Sequence, residues 1–203
     1  MAGAAGVALV FRPWAVLRVP ELRNAWFAAV VLLTCLWSAQ SMLPAALPSQ
    51  FSGACLLVLM FGWPLAVLTI VGVALATAGL LGEAWITAVQ DAAWLGALPA
   101  TVALGIGVAL RRWLPKHLFV FILGRGFLGT ALAMSLAGAL HIIVLGHPRG
   151  TDLTALLMAD WLMAWGEAFM TGALVAVFVA FRPEWLLTWS DARYLPGKSK
   201  IDP

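Results

Sequence analysis

From Trp26 to Phe181 the chain is a succession of long apolar runs with few charges to break them, and the runs are continuous rather than alternating. Strands of a membrane barrel would alternate with a period of two, so continuous runs point to helices. About 20 apolar residues are needed to cross the hydrocarbon region of a bilayer. Helices also satisfy their own backbone polar groups where no water can. The pattern predicts spans over 26–43, 65–81, 92–110, 118–145 and 153–181. The last two are long enough to tilt or to lie partly in the interface.

Composition agrees: 63% of residues are hydrophobic and 10% charged, against about 25% charged in a soluble domain. Charge placement adds an orientation. Arg12, Arg18 and Arg23 precede the first span, Arg111, Arg112 and Lys116 follow the fourth apolar run, and Arg182, Arg193, Lys198 and Lys200 follow the last. Positive charge marks the cytoplasmic side. All three clusters share that side only if the short apolar stretch near residues 48–63 also crosses, or nearly crosses, the membrane. The expected fold is therefore an all-α integral membrane protein, a bundle of about six transmembrane helices with both termini cytoplasmic. One helix, near residues 48–63, is short or broken. Residues 1–24 read as a cytoplasmic or interfacial arm, 25–181 as the bundle and 182–203 as a cytoplasmic tail. Trp26, Trp113, Trp185 and Trp189 near span ends fit aromatic belts at the membrane surfaces.

Several chemistries find no support in the chain. Cys35 and Cys55 sit inside apolar runs without a nearby histidine, which makes neither a disulfide framework nor a metal motif. The net charge of +3 comes from the flanking clusters and supplies no nucleic-acid patch. Gly124-Arg125-Gly126-Phe127-Leu128-Gly129 matches the spacing of a dinucleotide fingerprint. That motif needs a strand before it and a helix after it, whereas these glycines lie within a membrane-helix pattern and read as close helix packing. No Walker A sequence and no nucleophile–base pair can be placed, so the chain is not expected to be an enzyme.

Ionisable residues inside spans are costly and default to functional candidates. Asp160 and Glu167, seven residues apart on the last helix, share one face. His141 lies on the fifth run, and Met163 falls near the acidic stripe. Glu83 and Asp91 bracket a polar patch expected between the third and fourth spans. One reading is a divalent transition metal held as substrate by His141, Asp160, Glu167 and Met163. The other is a set of interhelical contacts, including an ion pair of Glu167 with Arg125 or Lys116, with the methionines as packing.

Three short elements in order, Ala39-Gln40-Ser41-Met42-Leu43-Pro44, Gln50-Phe51-Ser52-Gly53 and Phe61-Gly62-Trp63-Pro64, resemble the CbiM/NikM family of membrane proteins. Leu81-Gly82-Glu83-Ala84-Trp85-Ile86-Thr87-Ala88 is similar to a glycine-rich loop of that family, and Asp91 to Pro99 to the helix that follows it. Gly166-Glu167-Ala168-Phe169 and Phe181-Arg182-Pro183-Glu184-Trp185 are similar to a shorter proteobacterial branch. The resemblance implies the substrate-binding component of an energy-coupling factor transporter in the bacterial inner membrane. Such a component takes up cobalt or nickel ions alongside a transmembrane coupling protein and cytoplasmic ATPases. Two departures stand out. The chain begins Met1-Ala2-Gly3 where the family has a metal-binding histidine in second place, and Gln50 replaces the family's other histidine. An amide is a far poorer ligand than imidazole for those metals. The expected substrate path therefore runs through Gln50, Glu83, Asp91, His141, Asp160 and Glu167. The alternative function is an accessory subunit of a larger respiratory or photosynthetic membrane complex.

Overall fold

The computed structural model describes residues 2–10, 13–42, 51–146, 152–190 and 194. All regular structure among them is helical. We number the helices α1 (Ala2–Val10), α2 (Pro20–Ser41), α3 (Ala54–Phe61), α4 (Trp63–Leu81), α5 (Trp85–Trp113), α6 (Val120–Leu145) and α7 (Leu153–Phe181). Five of them, α2 and α4 to α7, are long and apolar enough to cross a membrane. The chain is thus an all-α protein of multi-pass membrane type, and the predicted runs correspond one to one with these five helices.

Their ends follow from local chemistry. Pro20 and Pro64 sit in the first turns of α2 and α4, where a missing N–H costs nothing. Gly82 closes α4 in the left-handed conformation, φ 70°, with its N–H and that of Glu83 both donating to the Ala78 carbonyl. Asp152 caps α7, its carboxylate accepting from the Thr154 N–H at 3.0 Å. The stretch Trp85–Asp91, expected as part of a connection, is instead helical and forms the first turns of α5.

The short helix is α3. Seven of its eight residues are buried, which makes it the most enclosed element of the fold. At 1.5 Å per residue it is roughly 12 Å long, well short of the hydrocarbon thickness of about 30 Å. Gly53 (φ 73°) and Gly62 (φ 78°) bracket it. The break at Gly62 lets the chain turn straight from α3 into α4.

Hydrogen bonds to the two ends of α3 fix its place. The first amides, Ser52 and Gly53, donate to Glu167 at the midpoint of α7. At the other end, the Met60 carbonyl accepts from the Leu187 N–H at 2.8 Å and the Leu59 carbonyl from the Thr188 hydroxyl at 2.7 Å. Residues 186–189 have turned back beneath the bundle after a short 3-10 turn, Pro183–Trp185. α3 therefore runs beside the second half of α7 and in the same direction, from mid-depth to the side where α7 ends. A half-length helix inside a bundle exposes unsatisfied backbone at both ends, and such backbone is tolerated only when protein covers it. Both ends of α3 are covered, one by a side chain and one by the returning tail.

The remaining seams rest on small residues and on hydroxyl–indole pairs. Trp26 Nε1 donates to Thr69 at 2.7 Å, tying α2 to α4, and Trp63 Nε1 donates to Thr101 at 3.0 Å, tying α4 to α5. The motif Gly124 to Gly129 begins in the π-helical start of α6, Val120–Leu128, and ends at Gly129, where the α-helical part opens. A methyl on Gly126 would stand 3.4 Å from Val175 and 3.5 Å from the Gly172 backbone, so Gly126 serves close packing against α7, while Gly124 and Gly129 face Leu110 and Ile106 of α5. Gly96 has the tightest fit in α5, because a Cβ there would lie 2.2 Å from a methyl of Ile70, which is only 1% exposed and stiff at χ1. Gly96→Ala is expected to cost about 1–3 kcal/mol by overpacking. The cost would be read as a lower thermal midpoint of the purified protein, and an unchanged midpoint would show that the α4–α5 seam can open freely.

Candidate functional site

The site is built where α3 begins. The Ser52 and Gly53 N–H groups point at one carboxylate, and left-handed Gly53 then turns the chain into α3. Glu167 receives them one per oxygen: the Ser52 N–H donates to Oε2 at 2.9 Å and the Gly53 N–H to Oε1 at 2.9 Å. The carboxylate is 3% exposed, placed by the inward stripe Ala164, Glu167, Ala168, Thr171, Gly172 and Val175 of α7. A negative group at a helix N-terminus interacts favourably with the free amides and the helix dipole. The Cys55 thiol lies beside it, with the Thr130 hydroxyl in reach.

Ser52 forms the second half of the arrangement. Its own Oγ accepts from the Ala54 N–H at 3.0 Å and donates to the Leu95 carbonyl. The reason lies in α5. Four residues after Leu95 stands Pro99, which has no N–H to return to that carbonyl. The helix meets the same proline with a π-helical segment, Ala92–Ala97. A proline defect in α5 and the free end of α3 thus satisfy each other through one hydroxyl.

The remaining sequence-predicted residues fall in other places. Gln50 lies outside the described residues. Glu83 follows the end of α4 and Asp91 sits in the opening turns of α5, both half-buried and near each other. Asp160 packs its carboxylate onto Gly138 of α6, so closely that no side chain would fit there. His141, one turn further along α6, is exposed, with its ring 5.1 Å from that of Trp94 of α5. Met163 is 38% exposed. Asp160 therefore lies in the α6–α7 seam and His141 against α5, while Glu167, two turns from Asp160 on α7, is committed to α3. Among the described residues, no group of three His, Cys, Asp or Glu side chains could hold a metal ion.

Glu167 makes no ion pair with Arg125 or Lys116: its oxygens face amides. Arg125 instead lies over the Phe121 ring at 5.3 Å from its centroid. Sequence reasoning passed over Ser52 and Gly53 as partners of Glu167 and the tail residues Leu187 and Thr188 as partners of α3. The signals that could have found them are the glycines flanking an eight-residue apolar run and a proline in the middle of a span. No family model, curated protein or solved structure matches this chain.

Proposed function

We propose that this chain is a substrate-binding membrane component of a transporter, with α3 and Glu167 as its moving part. The observation that carries this reading is the half-helix whose N-terminus ends at mid-depth on a buried carboxylate. Discontinuous helices meeting at the membrane midplane are how transporters place binding groups where a continuous helix offers none. An intramembrane carboxylate is costly enough to suggest a role. Release of Glu167 from the two amides would free a carboxylate and a helix N-terminus in one step, one attractive to cations and the other to anions. The ordered resemblance to CbiM/NikM proteins supports the same class, with a coupling protein and ATPases as partners and a divalent transition metal as candidate substrate. In that case Asp160 of α7 and His141 of α6 are the candidate metal-facing groups, since Glu167 is occupied.

The proposed topology has six crossings with both termini cytoplasmic. The second crossing includes α3. The direction of α3 supports it, because its lower end shares a side with Arg182 and, through the antiparallel order of α5 to α7, with Arg111 and Arg112.

One feature favours the accessory-subunit reading instead: both ends of α3 are held by protein hydrogen bonds, as a purely structural element would require. Affinity purification from membranes in mild detergent separates the two. Recovery of a coupling protein with nucleotide-binding subunits is the expected result. Recovery of a respiratory or photosynthetic complex in their place would overturn the transport reading.

A further inference from the structure

Among the described residues, Arg125 has no counter-charge. Its Nε and Nη1 are buried and carry no hydrogen-bond partner. The guanidinium rests on Phe121 and against Gly107 of α5, where a Cβ would come within 3.1 Å of Nε and Nη2. The Tyr194 hydroxyl is its polar neighbour, and Phe121, Trp189 and Tyr194 form an aromatic cluster around it, with centroids 4.7–5.2 Å apart. A second cation stands close by: Arg111, one turn beyond Gly107 on α5 and exposed, acts on Arg125 through its charge. Among the described residues, the acidic groups of α7 and of the turn after it are engaged elsewhere. Glu167 holds the α3 amides, Asp160 lies on Gly138, and Glu184 pairs with Arg182 at 3.4 Å. Among the described residues, no carboxylate pairs with Arg125 or Arg111.

Two like charges held together with unused donors are unfavourable, and a buried unpaired ion costs several kcal/mol. An oxyanion bearing several acceptor oxygens would remove both problems, since guanidinium forks match phosphate geometry. The position suits one. Arg111 and Arg125 lie toward the end of the α5–α6 seam where the basic cluster Arg111, Arg112 and Lys116 gathers, and basic pockets between helices on that side bind anionic head groups. We propose that Arg125 and Arg111, with the Tyr194 hydroxyl, form a binding site for a phosphate-type oxyanion, contributed by an anionic lipid head group or by free phosphate. The site is independent of Glu167 and of the transport reading.

The test uses the full-length protein in two arms. In one, delipidated protein in neutral detergent is titrated with inorganic phosphate. In the other, it is placed in phosphatidylcholine nanodiscs carrying increasing phosphatidylglycerol. Thermal midpoint is the readout in both. A saturable rise in either arm is expected, and the arm that shows it names the source. Arg125→Gln and, separately, Arg111→Gln should each weaken the apparent affinity by about tenfold or more, the equivalent of one charge-assisted hydrogen bond. Arg111 is exposed, so its variant folds even if the Arg125 variant does not. No saturable rise in either arm, or an Arg111→Gln protein that responds like the wild type, overturns the site.

Discussion

Glu167→Ala should be the most damaging single substitution in the chain, lowering stability by about 3–5 kcal/mol, the range for removing one partner of a buried charged contact. Two effects add. The charge-assisted bonds from Ser52 and Gly53 disappear, and both N–H groups remain enclosed with no acceptor, at about 1–3 kcal/mol for each such orphan. Water cannot repair the loss, because the flanking residues Ser52, Gly53, Ala54 and Cys55 are all buried. The companion variant Glu167→Gln separates geometry from charge. Its amide oxygen can take one of the two N–H donors, while its NH2 group faces the other, so it should fall between wild type and alanine. The measurement is the thermal midpoint of detergent-solubilised protein, with hydrogen exchange at residues 52–54 as a local readout. If alanine and wild type melt together, Glu167 is not what holds α3 in place.

The same position shows how far the sequence reaches. Apolar run length located the five long helices, because the requirement they answer is local: about 20 residues to cross hydrocarbon. A short helix near 48–63 was expected from charge bookkeeping around Arg111 and Arg112, and α3, Ala54–Phe61, lies within that stretch. Helical spacing placed Asp160 and Glu167 on one face. It could not say what each would meet, because the partner of Glu167 is backbone, 114 and 115 residues away, and backbone donors leave no mark in a side-chain pattern. The ion pair of Glu167 with Arg125 looked reasonable from charge alone, but Arg125 extends over Phe121 instead, toward the start of α6. The return of residues 186–189 beneath α3 was equally hidden. A polar tail after a last span reads as solvent-facing, yet Leu186 and Trp189 are buried there and the contacts are again to carbonyls. Besides the glycines flanking the short run, Pro99 was the visible trace of this layer. A proline within a span announces an orphan carbonyl, here that of Leu95, but not the hydroxyl that meets it.

Gly53→Val is the second substitution expected to have a large effect, about 2–5 kcal/mol, and its two causes can be measured apart. Gly53 has φ 73°, a left-handed conformation that a β-branched residue reaches only at a cost of roughly 1–2 kcal/mol. The new side chain also collides with α2, since even a Cβ would stand 2.6 Å from a Leu33 methyl, and overpacking of this kind costs about 1–3 kcal/mol. Leu33→Ala clears the collision and leaves the backbone strain. In a double-mutant cycle the Leu33→Ala background should therefore recover the steric part of the loss and no more. The remainder measures what the left-handed turn contributes to leading the chain from the Ser52 and Gly53 amides into α3. Full recovery in the double mutant would mean that the turn is unstrained by a side chain and that its conformation does not direct the entry into α3. No recovery would mean that α2 does not confine Gly53 and that the loss comes from the backbone alone. The intermediate result is the one expected, because the positive φ and the 2.6 Å approach are separate features of the same residue.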